Sequence, residues 1–204
     1  MSESEKDPTP RIKSLEVSLL DGTPVLIRPV TPEDKHFFIE GFELLSKQSR
    51  YLRFMRPLKV LSERDLKFFT EIDHVNHMAW GALCPSPEGD QGVGVARYVR
   101  NPENPREAEA AVTIIDAFQH RGIGTLLAGA LYWSALENGI ESFVGYVLAE
   151  NQHMLRLLRI LNAEMKPEGH GVIRVRVSVI KDVETVPDSR VGQVLKQTVK
   201  ALSE

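Results

Sequence analysis

The stretch best furnished for chemistry is Ala108-Glu109-Ala110-Ala111-Val112-Thr113-Ile114-Ile115-Asp116-Ala117-Phe118-Gln119-His120-Arg121-Gly122-Ile123-Gly124-Thr125. Its first half is β-prone, and from Gly122 the apolar residues recur at helical spacing, so the glycines stand at a strand-to-helix turn. The first amides of a helix have no partner within it, and the helix dipole adds partial positive charge at the same end. Such an entrance binds anions. Glycines at 122 and 124 let phosphate oxygens approach the main chain with no Cβ in the way. Arg121 stands where a cation is ordinarily disfavoured, which makes best sense if a polyanion occupies the site.

Spacing argues against two familiar phosphate binders. A P-loop needs Gly-x-x-x-x-Gly-Lys-Ser/Thr, and no Lys-Ser or Lys-Thr stands at the required distance. A dinucleotide fingerprint needs a third glycine at 127, where the chain has Leu127. Cys84 is the only cysteine, which rules out an internal disulfide and leaves no zinc-type Cys/His spacing. It lies at a strand end with no base marked beside it, so a covalent acyl-cysteine route is disfavoured.

The elements that must position this stretch are legible in part. Residues 15 to 20 and 24 to 30 flank Asp21-Gly22-Thr23 and read as a hairpin. Thr31-Pro32-Glu33-Asp34 starts a helix carrying Phe37, Phe38, Phe42 and Leu45; a second is expected at Arg50 to Met55 and a third from Ser62. Residues 78 to 83 predict a strand, Pro85 to Asp90 a break, and Val93 to Val99 another strand. Asn101 to Pro105 links to the strand at about Ala108 to Ile115. The long helix runs from Gly122 until Asn138-Gly139, followed by a strand at 142 to 148, a short helix with Met154, Leu155, Leu158 and Leu161, and a strand at Val172 to Ile180. A further short helix is expected from Asp188. Together these give an α+β fold with helices packed on a sheet.

At 204 residues the chain suits one domain, and its formal charge of −3 supplies no basic field for nucleic acid. The polar first 14 residues read as a flexible tail and not as a signal peptide, and no apolar run approaches the ~20 residues of a membrane helix. A single cysteine fits a reducing, cytoplasmic setting.

Gln119-x-x-Gly122-x-Gly124, after a strand and before an amphipathic helix, resembles the pyrophosphate-binding motif of the GNAT superfamily of N-acetyltransferases. DGTPVLIRPVTPED at 21 to 34, LSKQSRYLRF at 45 to 54, LSERDLKFFTEID at 61 to 73 and Glu150-Asn151-x-x-Met154 look like the acetyltransferase domain of bacterial protein-lysine acetyltransferases. The resemblance covers about residues 15 to 180, with 181 to 204 as an extension. It implies a mixed, mostly antiparallel central sheet flanked by helices, with strands splayed at an acyl-CoA site. It further implies that Gln119, His120, Arg121, Gly122, Ile123, Gly124 and Thr125 hold the pyrophosphate of acetyl-CoA, and that Ile114 and Ile115 pair their backbone with the pantetheine arm. A bulge would leave a free amide aimed at the thioester carbonyl, and Asn151 would contact the cofactor arm. The expected activity is acyl transfer to an amine, with a protein lysine as the first acceptor and a small amine or polyamine as the alternative; no metal is called for.

A lysine ammonium of pKa ~10.4 has no free lone pair at neutral pH, so a base or water relay must take its proton. Glu109 matches the glutamate these enzymes carry in Ala-Glu-x-Ala-Val and shares a strand face with Ala111 and Thr113. Two departures stand out. Many superfamily members have a tyrosine after the asparagine helix to protonate the leaving thiolate, where this chain has Leu157, Leu158 and Leu161; either a thiol of pKa ~8.5 leaves as thiolate with no acid, or a water serves. Residues 162 to 165 replace a usual Gly-Phe.

Plainer readings stand beside these. Glu109 could stand simply as a solvated strand residue next to Glu107, Asn151 as a helix cap beside any cofactor contact, and Gln119 to Gly124 as a tight turn, a reading that the flanking blocks disfavour. Asp73, His74 and His77 fall where an acceptor would enter, although isolated histidines are more often surface residues. An acyl-CoA sensor without turnover and a generic nucleotide binder are the competing functions. The final strand and the tail after 181 offer surfaces for a homodimer.

Overall fold

The computed structural model describes residues 13–204, so the expected tail lies outside the described residues except for Lys13 and Ser14. Strands β1 (Leu15–Ser18) and β2 (Pro24–Pro29) form the expected hairpin, with Gly22 at φ +83 in the turn. A 3-10 turn at Pro32–Asp34 leads into α1 (Lys35–Glu43), locked by Arg28, whose guanidinium donates twice to the buried Asp34 at 2.6 and 2.8 Å. Helices α2 (Lys47–Phe54) and α3 (Glu63–Thr70) start on Ser46 and Ser62, each accepting an amide of its own first turn. Then come β3 (His77–Ser86), β4 (Gly89–Arg100), β5 (Glu107–Ile114), α4 (Ile123–Glu137), β6 (Ser142–Leu148), α5 (Gln152–Ile160), β7 (Glu164–Gly169), β8 (Val172–Ser178) and α6 (Arg190–Ser203).

One eight-stranded sheet results, in the order β1-β2-β3-β4-β5-β6-β8-β7. Every neighbouring pair is antiparallel except β5 and β6. A parallel pair needs a crossover, and α4 is that crossover. Alternation along the strands sorts the side chains onto two faces. Trp80, Ala96 and Val112 lie in one cross-strand row on the α4 face, where Trp80 Nε1 donates to Ser134 Oγ of α4 at 2.8 Å. Arg97 and Ala111 lie on the other, under Phe38 of α1 and Phe69 of α3.

The sheet differs from the sequence reading in two places. Pro85 to Asp90 does not interrupt the strands: β3 and β4 pair through Ser86↔Gly89, and only Pro87-Glu88 make the turn. β7 was not foreseen. Its residues EMKPEG are polar and mostly exposed, and it pairs with β8 alone, an edge position that tolerates Pro167 and shows no apolar alternation.

The extension after 181 ends in the expected helix, α6, which lies against α4 and adds Leu195, Val199 and Leu202 to the main core. Contact is close at Gly129, where a Cβ would stand 2.7 Å from Thr198 Cβ. Gly129→Val is therefore expected to cost about 1–3 kcal/mol through overpacking. A thermal melt checks it; an unchanged midpoint would show that α6 does not bear on α4.

Candidate active site

The site begins where β5 and β6 part. They share three rungs, ending at Glu109↔Val144, whereas β5 keeps seven with β4 and β6 keeps seven with β8. Gly145 lets the strands stay close just past the last rung: a Cβ there would lie 3.2 Å from the Ala110 carbonyl. Beyond it each strand follows its own neighbour. The anticipated bulge is absent from β5, whose register with β4 is unbroken; the register shifts of the sheet lie between β3 and β4 at Ala82/Leu83 and between β7 and β8 at Pro167/Gly169. Twist and a short shared ladder, not an inserted residue, open the fork.

The Ile115 amide donates to the Val93 carbonyl at 3.0 Å, so odd-numbered residues of β5 turn their polar backbone toward β4. By alternation the amides of Val112 and Ile114 face the fork. Of the two isoleucines expected to meet a cofactor arm, Ile114 presents its amide to the gap. Ile115 has spent its own on β4. Val112, not singled out in the sequence, takes that place. Gln119 closes the strand end, donating from Nε2 to the Ile114 carbonyl at 3.1 Å and to Ser49 Oγ at 3.3 Å, which ties β5 to α2.

At the end of the fork stands the entrance of α4. Gln119 N bonds Asp116 O, and Thr125 N and Leu126 N both bond Gly122 O. Between them the five amides of His120, Arg121, Gly122, Ile123 and Gly124 make no hydrogen bond among the described residues. His120 at φ +62 and Gly122 at φ +94 curl this run into a concave nest of donors. The two glycines are not alike. Gly122 needs its positive φ, whereas a Cβ on Gly124 would meet Ile114 and Val112 at ordinary contact, 3.7 and 3.9 Å, so packing of α4 on β5 does not by itself require a glycine there.

Arg121, read from sequence as awaiting a polyanion, finds a carboxylate within the chain. It donates to Asp21 at 2.5 and 3.0 Å and to Thr23 Oγ1 at 2.6 Å, and Thr23 and then Arg121 hold the Asp21 carboxyl at about 2. His120 packs edge-on against His153 of α5 at 4.4 Å between centroids. Asn151 caps α5, its Oδ1 accepting from Met154 N at 3.1 Å, while its side chain also lines the cleft.

A cleft of about 1600 Å³ runs from this entrance along the fork to Glu109. Glu109 is exposed and shares its face with Ala111 and Thr113, as strand alternation requires. Arg53 of α2 reaches the same wall, its Nε donating to Thr113 Oγ1 at 3.0 Å. Burial opposes its charge and Glu109 supports it. Arg53 was quoted in the sequence only within a longer block; its partner Thr113 is sixty positions away, so no local signal marked it.

Asp73, His74 and His77 do not line the cleft. Despite the cost of burial, the amides of His77, Val75 and Asn76 bring the Asp73 carboxyl to about 2, and it serves as the clasp of the loop before β3. Burial, and then Arg97, lower His77 to about 4. Cys84 is buried outside the cleft, and burial raises its thiol, so it offers no nucleophile there.

An extended groove with free strand amides on one side and a nest of helix-entrance amides at its end fits a diphosphate carrying a long amide-bearing arm. Comparison with known proteins points the same way. The chain is 34% identical over 183 residues to the acetyltransferase Pat of Mycolicibacterium smegmatis, covering 86% of this chain and 52% of that protein. It is 34% identical over 137 residues to an acetyltransferase of Pseudomonas aeruginosa, covering 67% of this chain and 73% of that one. Among solved structures, the GNAT domain of S. lividans PAT superposes with a TM-score of 0.73 at 29% identity, over 81% of this chain and 96% of that domain. The chain thus spans about half the length of the Mycolicibacterium smegmatis relative. The acetyltransferase (GNAT) domain family model matches residues 25–164, and the chain belongs to that family.

Proposed function

We propose that the chain moves an acetyl or other short acyl group from acyl-CoA to a primary amine by direct transfer in a ternary complex, with a protein lysine as acceptor. The observation that carries the reading is the run of five unpartnered amides from His120 to Gly124, placed at the end of a fork whose strand amides at Val112 and Ile114 face the same groove. The nest receives the coenzyme diphosphate, with Thr125 beside it, and the fork receives the pantetheine arm as an added strand. Asn151 Nδ2, left free by the cap, reaches the arm from the β6 side. The lysine acceptor rests on the resemblance of residues 15 to 180 to bacterial protein-lysine acetyltransferases and on the relatives' names.

Glu109 lies at the fork's closed end, on the face away from α4, open to solvent for an approaching amine. Its carboxylate takes the proton that an attacking nitrogen must lose. A fork-facing amide of β5 donates to the carbonyl oxygen as charge builds there, an interaction worth roughly 3 kcal/mol where such donors have been removed from enzymes.

Glu109→Gln is expected to keep acetyl-CoA affinity while lowering kcat at neutral pH by about 10²- to 10⁴-fold. Its rate should climb about tenfold per pH unit below ~10.4, because the unprotonated fraction of a lysine amine does so. Thiol release from acetyl-CoA with lysine peptides measures both, and unchanged turnover across pH would remove Glu109 as the base. Gly122→Ala, forced into a left-handed backbone costing about 1–2 kcal/mol, should weaken acetyl-CoA binding about tenfold by calorimetry. Full affinity in that variant would show that the nest does not grip the coenzyme.

A further inference from the structure

We infer that Tyr146 is the proton donor to the departing sulfur, a role that rests on the transfer reaction proposed above. In that reaction the nitrogen lone pair of the neutral amine forms the C–N bond, and the C–S bond breaks with its electron pair going to sulfur. The amine's surplus proton passes to Glu109. A thiol of pKa ~8.5 can depart as thiolate, and a proton donor beside the sulfur lets it leave directly as the neutral thiol.

Few groups in the cleft can give that proton. The α5 side of the cleft presents Leu157, Leu158 and Leu161. Tyr132 also lines it, but its hydroxyl is committed, donating to the Ile180 carbonyl at 3.1 Å and accepting from the Ile180 amide at 2.6 Å. Tyr98 is buried with its hydroxyl on the Val75 carbonyl, and Tyr51 lies outside the cleft. His120 and His153 stand at the α4 entrance, at the far end of β5 from Glu109.

Tyr146 remains. It lines the cleft from β6, is 44% exposed, and its hydroxyl has no hydrogen-bond partner among the described residues. Its position is set by the ladder. Val144 is the last β6 residue paired with β5, opposite Glu109, and Tyr146 is two positions further, on the same face and beside the opening fork. The base and the phenol therefore stand on the two arms of the fork, flanking the line along which the thioester must lie. Arg174 is directly opposite Tyr146 on β8, 3.9 Å from the Glu107 carboxylate. Glu107 and Glu109 on β5, Arg174 and Arg176 on β8, Lys166 on β7 and Arg53 on α2 carry the charge on this face. Solvent then returns the proton held by Glu109 to the phenolate, so the products are amide and thiol.

Tyr146→Phe removes one exposed, unpartnered hydroxyl, so its melting temperature should match the parent's. With acetyl-CoA and a lysine peptide, kcat is expected to fall about a hundredfold or more, within the range for general acids, with KM for acetyl-CoA unchanged and the alkaline fall in kcat abolished. Turnover within twofold of the parent with the same alkaline fall would overturn the role, as would a change confined to KM. Both outcomes leave transfer by the parent intact. A parent that binds acetyl-CoA yet acylates no amine defeats the proposed function itself, and the tyrosine's role with it.

Discussion

The constraint on which the rest depends is the inequality of ladders around β5 and β6. Each strand is held by seven rungs on its outer side and by three on the side where they meet. The outer ladders win, the strands diverge, and Val112 and Ile114 are left with amides that no neighbouring strand meets. An unpaired backbone donor away from water costs about as much as a lost hydrogen bond. The fork is therefore a place where the fold has left binding capacity unspent. Its closed end fixes Glu109 and Tyr146 on opposite arms, and its open end leads to the donors at the entrance of α4.

The two faces of the sheet have separate work. On one, α4 and α6 share the main core with the central strands, and Trp80 is fully buried with its ring nitrogen satisfied by Ser134. On the other, α1, α2 and α3 sit over a polar arrangement centred on Arg97. This arginine is buried between Phe38 and Phe69, donates to the Phe69 carbonyl at 3.2 Å and meets His77 Nε2 at 3.1 Å. Burial, and then the like charge of Arg53, bring it down to about 9. A buried cation is tolerated only when its donors are met and its plane is packed. Here the aromatic walls and the Phe69 carbonyl fix α1 and α3 to β4, and that in turn holds α2, with Arg53, against Thr113.

The loop between β5 and α4 is braced from both sides, which keeps the nest in shape without a ligand's help. Asp116 accepts from Ser46 N at 3.0 Å and Ser49 Oγ at 3.0 Å, joining the loop to the start of α2. Arg121 joins it to the β1–β2 hairpin through Asp21 and Thr23. A pre-shaped nest loses less entropy on binding than a loop that must be ordered first. Arg121 thus bears on the site by holding the turn.

The sequence by itself determined the strand-to-helix turn at 108 to 125, the glycines within it, the face of Glu109 and most of the elements around them, because each is written in local spacing: period two for β5, helical recurrence for α4, caps at Ser62 and Asn151. It also carried the family through short blocks in a fixed order. Only the tertiary structure decided which amides stay free, since that turns on how many rungs each neighbour claims. It alone showed that Ile115 is spent and Val112 is not, that Arg121 meets Asp21 one hundred residues away, and that edge strand β7 exists despite its polar sequence. Tyr146 acquired its place in the same way: a pattern along one strand says which side a residue takes, but what stands across from it is settled by pairing between segments far apart in the chain.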